Sequence, residues 1–328
     1  MEEQIPIHWN WIVAIDLFAA GLSAGAFIIS ATFYFLGKEK YENMIKLGAY
    51  IAPFPVIVGI LALISDLERP HLFWKLFLTF RPSSVMSLGS WLLLFFSFLS
   101  FAHLYLWLPE RMDYLKLIPV IRSNKFLCRF RGDNLTKLRG LVAGFGIPVS
   151  IGVGIYTGVL LGVLTARPFW NNPMLPMLFL ISAIMTGSAS ICLVGSFMKE
   201  FCGMSQEQLN QCKSLIHSID FTLMVLFIIS LFLFILGLYV LPRSSNETVR
   251  LIMGGEFTLL FWVLVVGVGI LLPLVLEVRE LIPHYIGHVE LGKHSPWISG
   301  VIGTSILIGG FVMRYVVIYA GQIVQVIS

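Results

Sequence analysis

Three side chains that could exchange or steer protons stand inside long apolar stretches of this sequence. Asp16 lies in WNWIVAIDLFAAGLSAGAF, Tyr156 in IYTGVLLG and Arg314 in GGFVMRYVVIYAGQ. A carboxylate and a phenol can accept or donate protons, and a guanidinium can keep a nearby carboxylate ionised. Because ionisable groups are costly against lipid, they face the bundle interior and mark a site or a path. The alternative is an Asp–Arg clamp that only holds two helices together.

These residues are predicted to lie in the same half of a membrane. With about 1.5 Å of rise per residue, Asp16 is roughly 8 Å below the start of its helix, and Tyr156 is roughly 13 Å from the end of its own. That depth places Tyr156 beneath the aromatic belt and favours a functional role. Arg314 is some six residues from the end of the last apolar run. Three further charged residues follow apolar runs on that side: Asp66, Arg69 and Arg167.

A second group of ionisable residues is predicted near the other membrane surface. It consists of His103, His217, Asp220 and Glu277. Such groups can relay protons, and we take Asp220, Glu277 and His103 as a possible proton path. For His217 we expect solvation at the interface.

No metal or haem site is predicted. A b-type haem needs two facing histidines, and only His103 is expected inside the bundle. His284 and His288 have i,i+4 spacing but fall in a predicted loop with a glycine. The four cysteines form no CxxC motif, so neither an iron–sulfur cluster nor a zinc site is expected in this chain.

The elements that must position these groups are membrane helices. Of the 328 residues, 57% are hydrophobic and 12% are charged, and the mean hydropathy is +0.88. Such a composition indicates an integral membrane protein. Continuous apolar runs of about 20 residues predict helices rather than a barrel. They lie near 11–36, 46–65, 84–108, 140–165, 174–198, 216–240, 255–278 and 297–320. We therefore predict an all-α integral membrane protein with eight transmembrane helices in two four-helix bundles.

The basic residues predict the orientation of these helices. Fifteen Lys and Arg residues fall on the side away from the termini, six fall on the termini side, and Arg314 is inside the last run. By the positive-inside rule, both termini and the Asp16–Tyr156 half are outside a cytoplasmic (inner) membrane. The net charge of +4 is too dispersed to indicate binding of nucleic acid.

Three regions follow from this topology. Residues 1–110 hold helices 1 to 3 with an aromatic interfacial segment at 66–84, residues 111–138 form a basic cytoplasmic connection, and residues 139–328 hold helices 4 to 8. The small-residue stripes AAGLSAGA and TGSAS are expected to mediate close helix packing.

Five stretches resemble the polysulfide reductase membrane-subunit family, also named after NrfD. They are WIVAIDLFAAGLSAGAF, DLERPHLFW, SSVMSLGSW, IYTGVLLGVLTARPFWNNPMLPMLFLISAIMTG and GGFVMRYVVIYAGQ. The resemblance covers essentially the whole chain. It implies a haem-free anchor that binds menaquinone or ubiquinone. It also implies partners outside the membrane, namely an iron–sulfur subunit and often a molybdopterin catalytic subunit.

The resemblance also implies residue roles. Tyr156, in the YTG motif, matches a tyrosine placed against the quinone carbonyl, and Asp16 occupies the position of a polar ligand to the same pocket. Arg314 and Arg69 would keep Asp16 ionised, and Asp66 and Arg167 would support the site. Two alternatives stay open: a passive anchor without quinone chemistry, and a solute or ion transporter. The sequence leaves open the terminal substrate and the direction of quinone chemistry.

Overall fold

The structure is a computed structural model that describes residues 9–37, 40–67, 69–78, 80–107, 133–197, 206–240, 246–286 and 296–324. Within these ranges all regular structure is helical. The eight helices that are long and apolar enough to cross a membrane, α1 to α8, are Trp11–Gly37, Glu42–Asp66, Val85–Trp107, Asp133–Gly162, Leu175–Phe197, Gln206–Val240, 260–286 and Pro296–Ile323. The predicted all-α membrane fold with eight spans is confirmed.

The predicted connection at 111–138 falls mostly outside the described residues, and α4 begins within it at Asp133. His288 also lies outside them. Between α2 and α3, the predicted interfacial segment forms two short helices, Pro70–Leu72 and Lys75–Leu78. Its aromatic residues Phe73, Trp74 and Phe80 are exposed, as expected for a segment at a membrane surface.

Helices α1 and α5 form the centre of the molecule. Their small residues allow the two backbones to touch: a Cβ at Gly25 would overlap the Ala183 carbonyl, and a Cβ at Gly187 would overlap the α1 backbone at Gly25 and Ala26. Close approach of this kind lets dispersion contacts hold helices together where no hydrophobic effect acts. The two small-residue stripes therefore pack against each other.

The other helices surround this pair in two sets. Helix α1 contacts α2 and α4, and α3 packs on α4; on the other side, α5 contacts α6 and α8, and α7 packs on α8. Because of this arrangement, side chains of α1 to α4 and of α5 to α8 meet mainly through α1 and α5. The grouping into two four-helix bundles and the outer placement of both termini stay predictions.

Two helices depart from regular α geometry. Helix α2 is divided at Ala52, which precedes Pro53 and Pro55, and the Ser23 hydroxyl of α1 donates to the Ala52 carbonyl at this break. Helix α7 begins as a π-helix, Leu260–Leu271, before it continues as Leu272–Ile286. These interruptions lie where helix packing and side-chain hydrogen bonds stabilise the freed backbone groups.

Candidate functional site

The site is described from the end of the bundle at which α1 begins and α8 ends, called the termini end; the other is called the opposite end. At the termini end, Asp16 points from α1 towards α2 and is 7% exposed. Its Oδ1 atom has no hydrogen-bond partner, and a Cβ at Gly59 of α2 would lie 2.9 Å from that atom. A glycine in α2 therefore makes room for a buried carboxylate oxygen that the protein itself leaves unsatisfied.

Tyr156 comes to the same site from α4. The side chain is half-buried, and its phenol end lies directly on Gly89 of α3, where a Cβ would overlap it. Asp16 interacts electrostatically with both Tyr156 and Asp66. Helices α1 to α4 thus bring together the two residues to which the sequence assigned proton chemistry, with Asp66 beside them.

Arg314 lies elsewhere than the sequence suggested. The side chain is fully buried, and its Nε donates to the Leu17 carbonyl at 3.1 Å. Its Nη1 donates to the Ser182 hydroxyl at 3.0 Å and to the Gly310 carbonyl at 2.8 Å. Among the described ion pairs there is none between Arg314 and Asp16, so the predicted Asp–Arg clamp is wrong. Arg314 instead holds α1, α5 and α8 together through neutral oxygen atoms.

Two rings complete the surroundings of this guanidinium. Its Cζ lies 5.6 Å from the Phe18 ring centroid and 5.4 Å from that of Phe179. Cation–π contacts of this kind offset part of the cost of burying the charge. Because Arg314 holds the carbonyl of the residue after Asp16, it fixes that turn of α1 without touching the carboxylate.

Arg167 has a structural role at the termini end. Its Nη1 donates to the Gln322 carbonyl in the last turn of α8, and the Gln322 amide exchanges hydrogen bonds of 2.8 and 3.1 Å with the backbone of Trp9. The Trp9 ring stacks on Trp170 at 5.1 Å. These contacts tie the α4–α5 loop to both ends of the protein. Arg69, by contrast, is exposed at the start of the Pro70–Leu72 turn.

The groups predicted near the opposite end form two separate clusters. In the first, His103 of α3 is fully buried, and its Nε2 lies 2.9 Å from the Ser30 hydroxyl of α1. That hydroxyl also donates to the Ile45 carbonyl of α2 at 2.8 Å. Arg139 of α4 interacts electrostatically with His103. This cluster belongs to α1 to α4.

The second cluster lies between α5, α6 and α7. His217 Nδ1 is 3.3 Å from Glu277 Oε1, and the Ser188 hydroxyl donates to Asp220 Oδ1. Asp220 interacts electrostatically with Glu277 and His217. All three ionisable side chains are at most 1% exposed. The expectation that His217 is solvated is therefore wrong, because α6 turns that residue towards Glu277 of α7.

The sequence analysis missed two hydroxyls, Ser30 and Ser188. Serines are common in closely packed membrane helices, so neither residue type nor depth separates these two from the other serines. A cavity of about 250 Å³ between α5, α6, α7 and α8 was also not anticipated. Its polar lining comes from Ser182 and Thr186, and it lies in the other set of helices from Asp16 and Tyr156.

Comparison with known proteins gives a family for this arrangement. The family model described as polysulphide reductase, NrfD matches residues 1–326. The chain belongs to the NrfD family. A polysulfide reductase component of Wolinella succinogenes is 34% identical, with 98% of the present sequence and 96% of that protein covered. Protein NrfD of Escherichia coli is 28% identical, with 96% and 95% covered. A selenate reductase component of Mesobacillus selenatarsenatis is 26% identical, with 94% and 73% covered.

The family and the eight apolar helices together make this NrfD-family protein a multi-pass membrane protein. The resemblance noted in the sequence motifs is confirmed over nearly the whole chain. The roles of individual residues do not follow from the family match, so they rest on the geometry of the termini end.

Proposed function

We propose that this protein is the membrane subunit of a respiratory oxidoreductase complex. It binds menaquinone or menaquinol and exchanges electrons, without haem, with an iron–sulfur subunit outside the cytoplasmic membrane. The observation that carries this proposal is the Asp16 carboxylate, which is buried at the termini end, has an unpartnered Oδ1 and interacts electrostatically with Tyr156.

An unsatisfied buried carboxylate oxygen costs about 1–3 kcal/mol or more, so a partner that supplies a hydrogen bond is favoured there. Menaquinol supplies two hydroxyl groups, and its oxidation releases two electrons and two protons. In the proposed site Asp16 accepts a proton from one hydroxyl, and the Tyr156 hydroxyl hydrogen-bonds to the ring oxygen. The apolar side chains of α1 to α4 suit the ring and the isoprenoid tail.

The remaining site residues support this chemistry from further away. Arg314 donates to the Leu17 carbonyl and so fixes the turn of α1 that carries Asp16. Asp66 adds a second carboxylate near Asp16, from which a proton can reach the surface. Arg69, exposed beyond α2, would attract anions or lipid headgroups at that surface.

The names of the relatives support the partners. Two of them are named as one lettered component of a reductase, which implies further subunits in those complexes. For the present protein we propose an iron–sulfur subunit at the termini end and a molybdopterin catalytic subunit beyond it. A quinone near that end would lie close to the cluster that receives its electrons. The terminal substrate is then chosen by the catalytic subunit.

Quinone content tests the proposal. The complex, purified in mild detergent and extracted with organic solvent, should yield menaquinone or ubiquinone on chromatography, and added menaquinol should reduce the iron–sulfur partner. A complex that holds no quinone and does not react with menaquinol would instead indicate a passive anchor.

Replacing Asp16 with asparagine should change the pH dependence of quinol oxidation more than quinone binding. Asparagine keeps the size and the hydrogen bonds but cannot accept the proton. We expect the Asp16→Asn complex to retain its quinone and to lose the pH-dependent step that depends on an ionisable group. Turnover measured across the pH range checks this, and a profile equal to that of the wild type contradicts the role.

The buried groups at the opposite end add a proton path to this proposal. His217, Asp220 and Glu277 lie together between α5, α6 and α7, and His103 lies among α1 to α4. Buried ionisable groups in membrane helices commonly serve proton movement. Measuring which compartment of proteoliposomes becomes acidic during quinol turnover would decide whether this path operates.

A further inference from the structure

Gly89 provides the surface on which the Tyr156 ring rests. It lies in the first turns of α3, is buried, and has Tyr156 Cζ, Cε2 and the hydroxyl oxygen as its nearest neighbours. All three atoms lie where a Cβ of residue 89 would be. The reactive end of the phenol is therefore in direct contact with the α3 backbone.

The closeness at Gly89 is specific to the tyrosine. Gly152 lies on α4, one turn before Tyr156 and at the same α3–α4 interface. A Cβ there would meet only the Leu92 side chain, whose two methyl groups lie at 3.3 and 3.4 Å. Glycine in a helix interior costs about 0.5–1 kcal/mol relative to alanine. At position 89 the missing side chain leaves room for the phenol, whereas at Gly152 an added methyl is nearly accommodated.

We propose that Gly89 is a positioning residue for quinol oxidation. By lacking a side chain, it sets how far the Tyr156 hydroxyl reaches under α3 and thereby sets its separation from the Asp16 carboxylate and from the bound ring. This inference rests on the proposed function, because it assigns Gly89 a role through Tyr156 at the same site.

Gly89→Ala separates a positioning role from a structural one. The overlapped atoms are the far end of a flexible side chain, so we expect the phenol to move, by on the order of 1 Å, and the helix to stay. A misplacement of about 1 Å costs about 100-fold in rate, so kcat for menaquinol oxidation should fall by about that factor with KM less affected. Alanine favours helix over glycine, so the melting temperature of the complex should be unchanged or higher.

Two comparisons complete the experiment. The matched control Gly152→Ala should keep wild-type turnover. In the background of Tyr156→Phe, adding Gly89→Ala should cause little further loss, because a residue that acts through the hydroxyl has nothing left to position. Equal losses from Gly89→Ala in both backgrounds would overturn the proposal.

Electron cryomicroscopy of the Gly89→Ala complex gives a readout that does not depend on quinone chemistry. A displaced Tyr156 ring supports the positioning role even if Tyr156→Phe retains full activity, a result that would count against the proposed catalytic site alone. An unmoved ring, or wild-type turnover in Gly89→Ala together with a strongly impaired Tyr156→Phe, overturns the positioning role.

Discussion

Tyr156→Phe should remove most quinol-dependent electron transfer while the complex still assembles. The substitution deletes one hydroxyl group and leaves the ring seated on Gly89, so the packing of α3 on α4 is retained. A positioned proton donor or acceptor contributes about 10²–10⁴-fold to a rate, and we expect a loss within this range. The measurement is menaquinol oxidation by the purified complex, alongside reduction of the terminal substrate by an artificial donor that bypasses the membrane subunit.

Tyr34→Phe is the matched control. Tyr34 also donates from a membrane helix to a neighbour, since its hydroxyl bonds to the Thr136 carbonyl at 3.0 Å, but it lies at the opposite end. This variant should oxidise menaquinol at the wild-type rate. Normal quinol turnover in Tyr156→Phe would refute the proposed role of the hydroxyl, and impaired bypass activity would show that assembly had failed.

The second large effect concerns the helix pair at the centre. In Gly187→Ala the new methyl group would overlap the backbone of α1 at Gly25 and Ala26. Backbone atoms, unlike the end of a side chain, cannot rotate away, so α1 and α5 must separate. Overpacking of this kind typically costs about 1–3 kcal/mol, and occasionally more, and we expect the upper part of that range. Thermal unfolding in detergent, followed by the loss of monodisperse protein, measures the effect.

A glycine with open surroundings provides the comparison. At Gly144 of α4 a Cβ would meet only Phe35 Cζ, at 3.9 Å, which is an ordinary van der Waals distance. Gly144→Ala should therefore be neutral or slightly stabilising, because alanine is the better helix former. If Gly187→Ala proved as stable as Gly144→Ala, the backbone contact between α1 and α5 would not be essential.

Much of the fold could be predicted because the membrane imposes simple rules on sequence. A span needs about 20 apolar residues, and backbone groups in lipid must bond within their own helix. The eight apolar runs therefore correspond to the eight helices. The long connection was placed less well, since α4 begins at Asp133, inside the region assigned to it. Charged and polar residues there match the first turns of a helix as well as they match a loop.

The candidate site was predicted in part. Asp16 and Tyr156 were assigned to one depth, and the structure brings them into electrostatic contact. The partner of Asp16 was predicted wrongly: Arg314 has a similar depth but donates to the Leu17 carbonyl on another face of α1. Likewise, His103 and Asp220 share a depth but lie in different sets of helices. Gly59 and Gly89, which make room for the two reactive groups, have no sequence signal that distinguishes them from other helix glycines.

The sequence by itself determined which segments cross the membrane and how far along each helix a polar group lies, because both follow from hydropathy and a fixed rise per residue. The tertiary structure alone decided which groups meet. Rotation of a helix about its axis and the choice of its neighbours depend on packing between helices, and small residues such as Gly25 and Gly187 set that packing through contacts distant in the sequence. For that reason Asp16 faces Gly59 and the Tyr156 side of the bundle, while Arg314 holds the turn of α1 beside it.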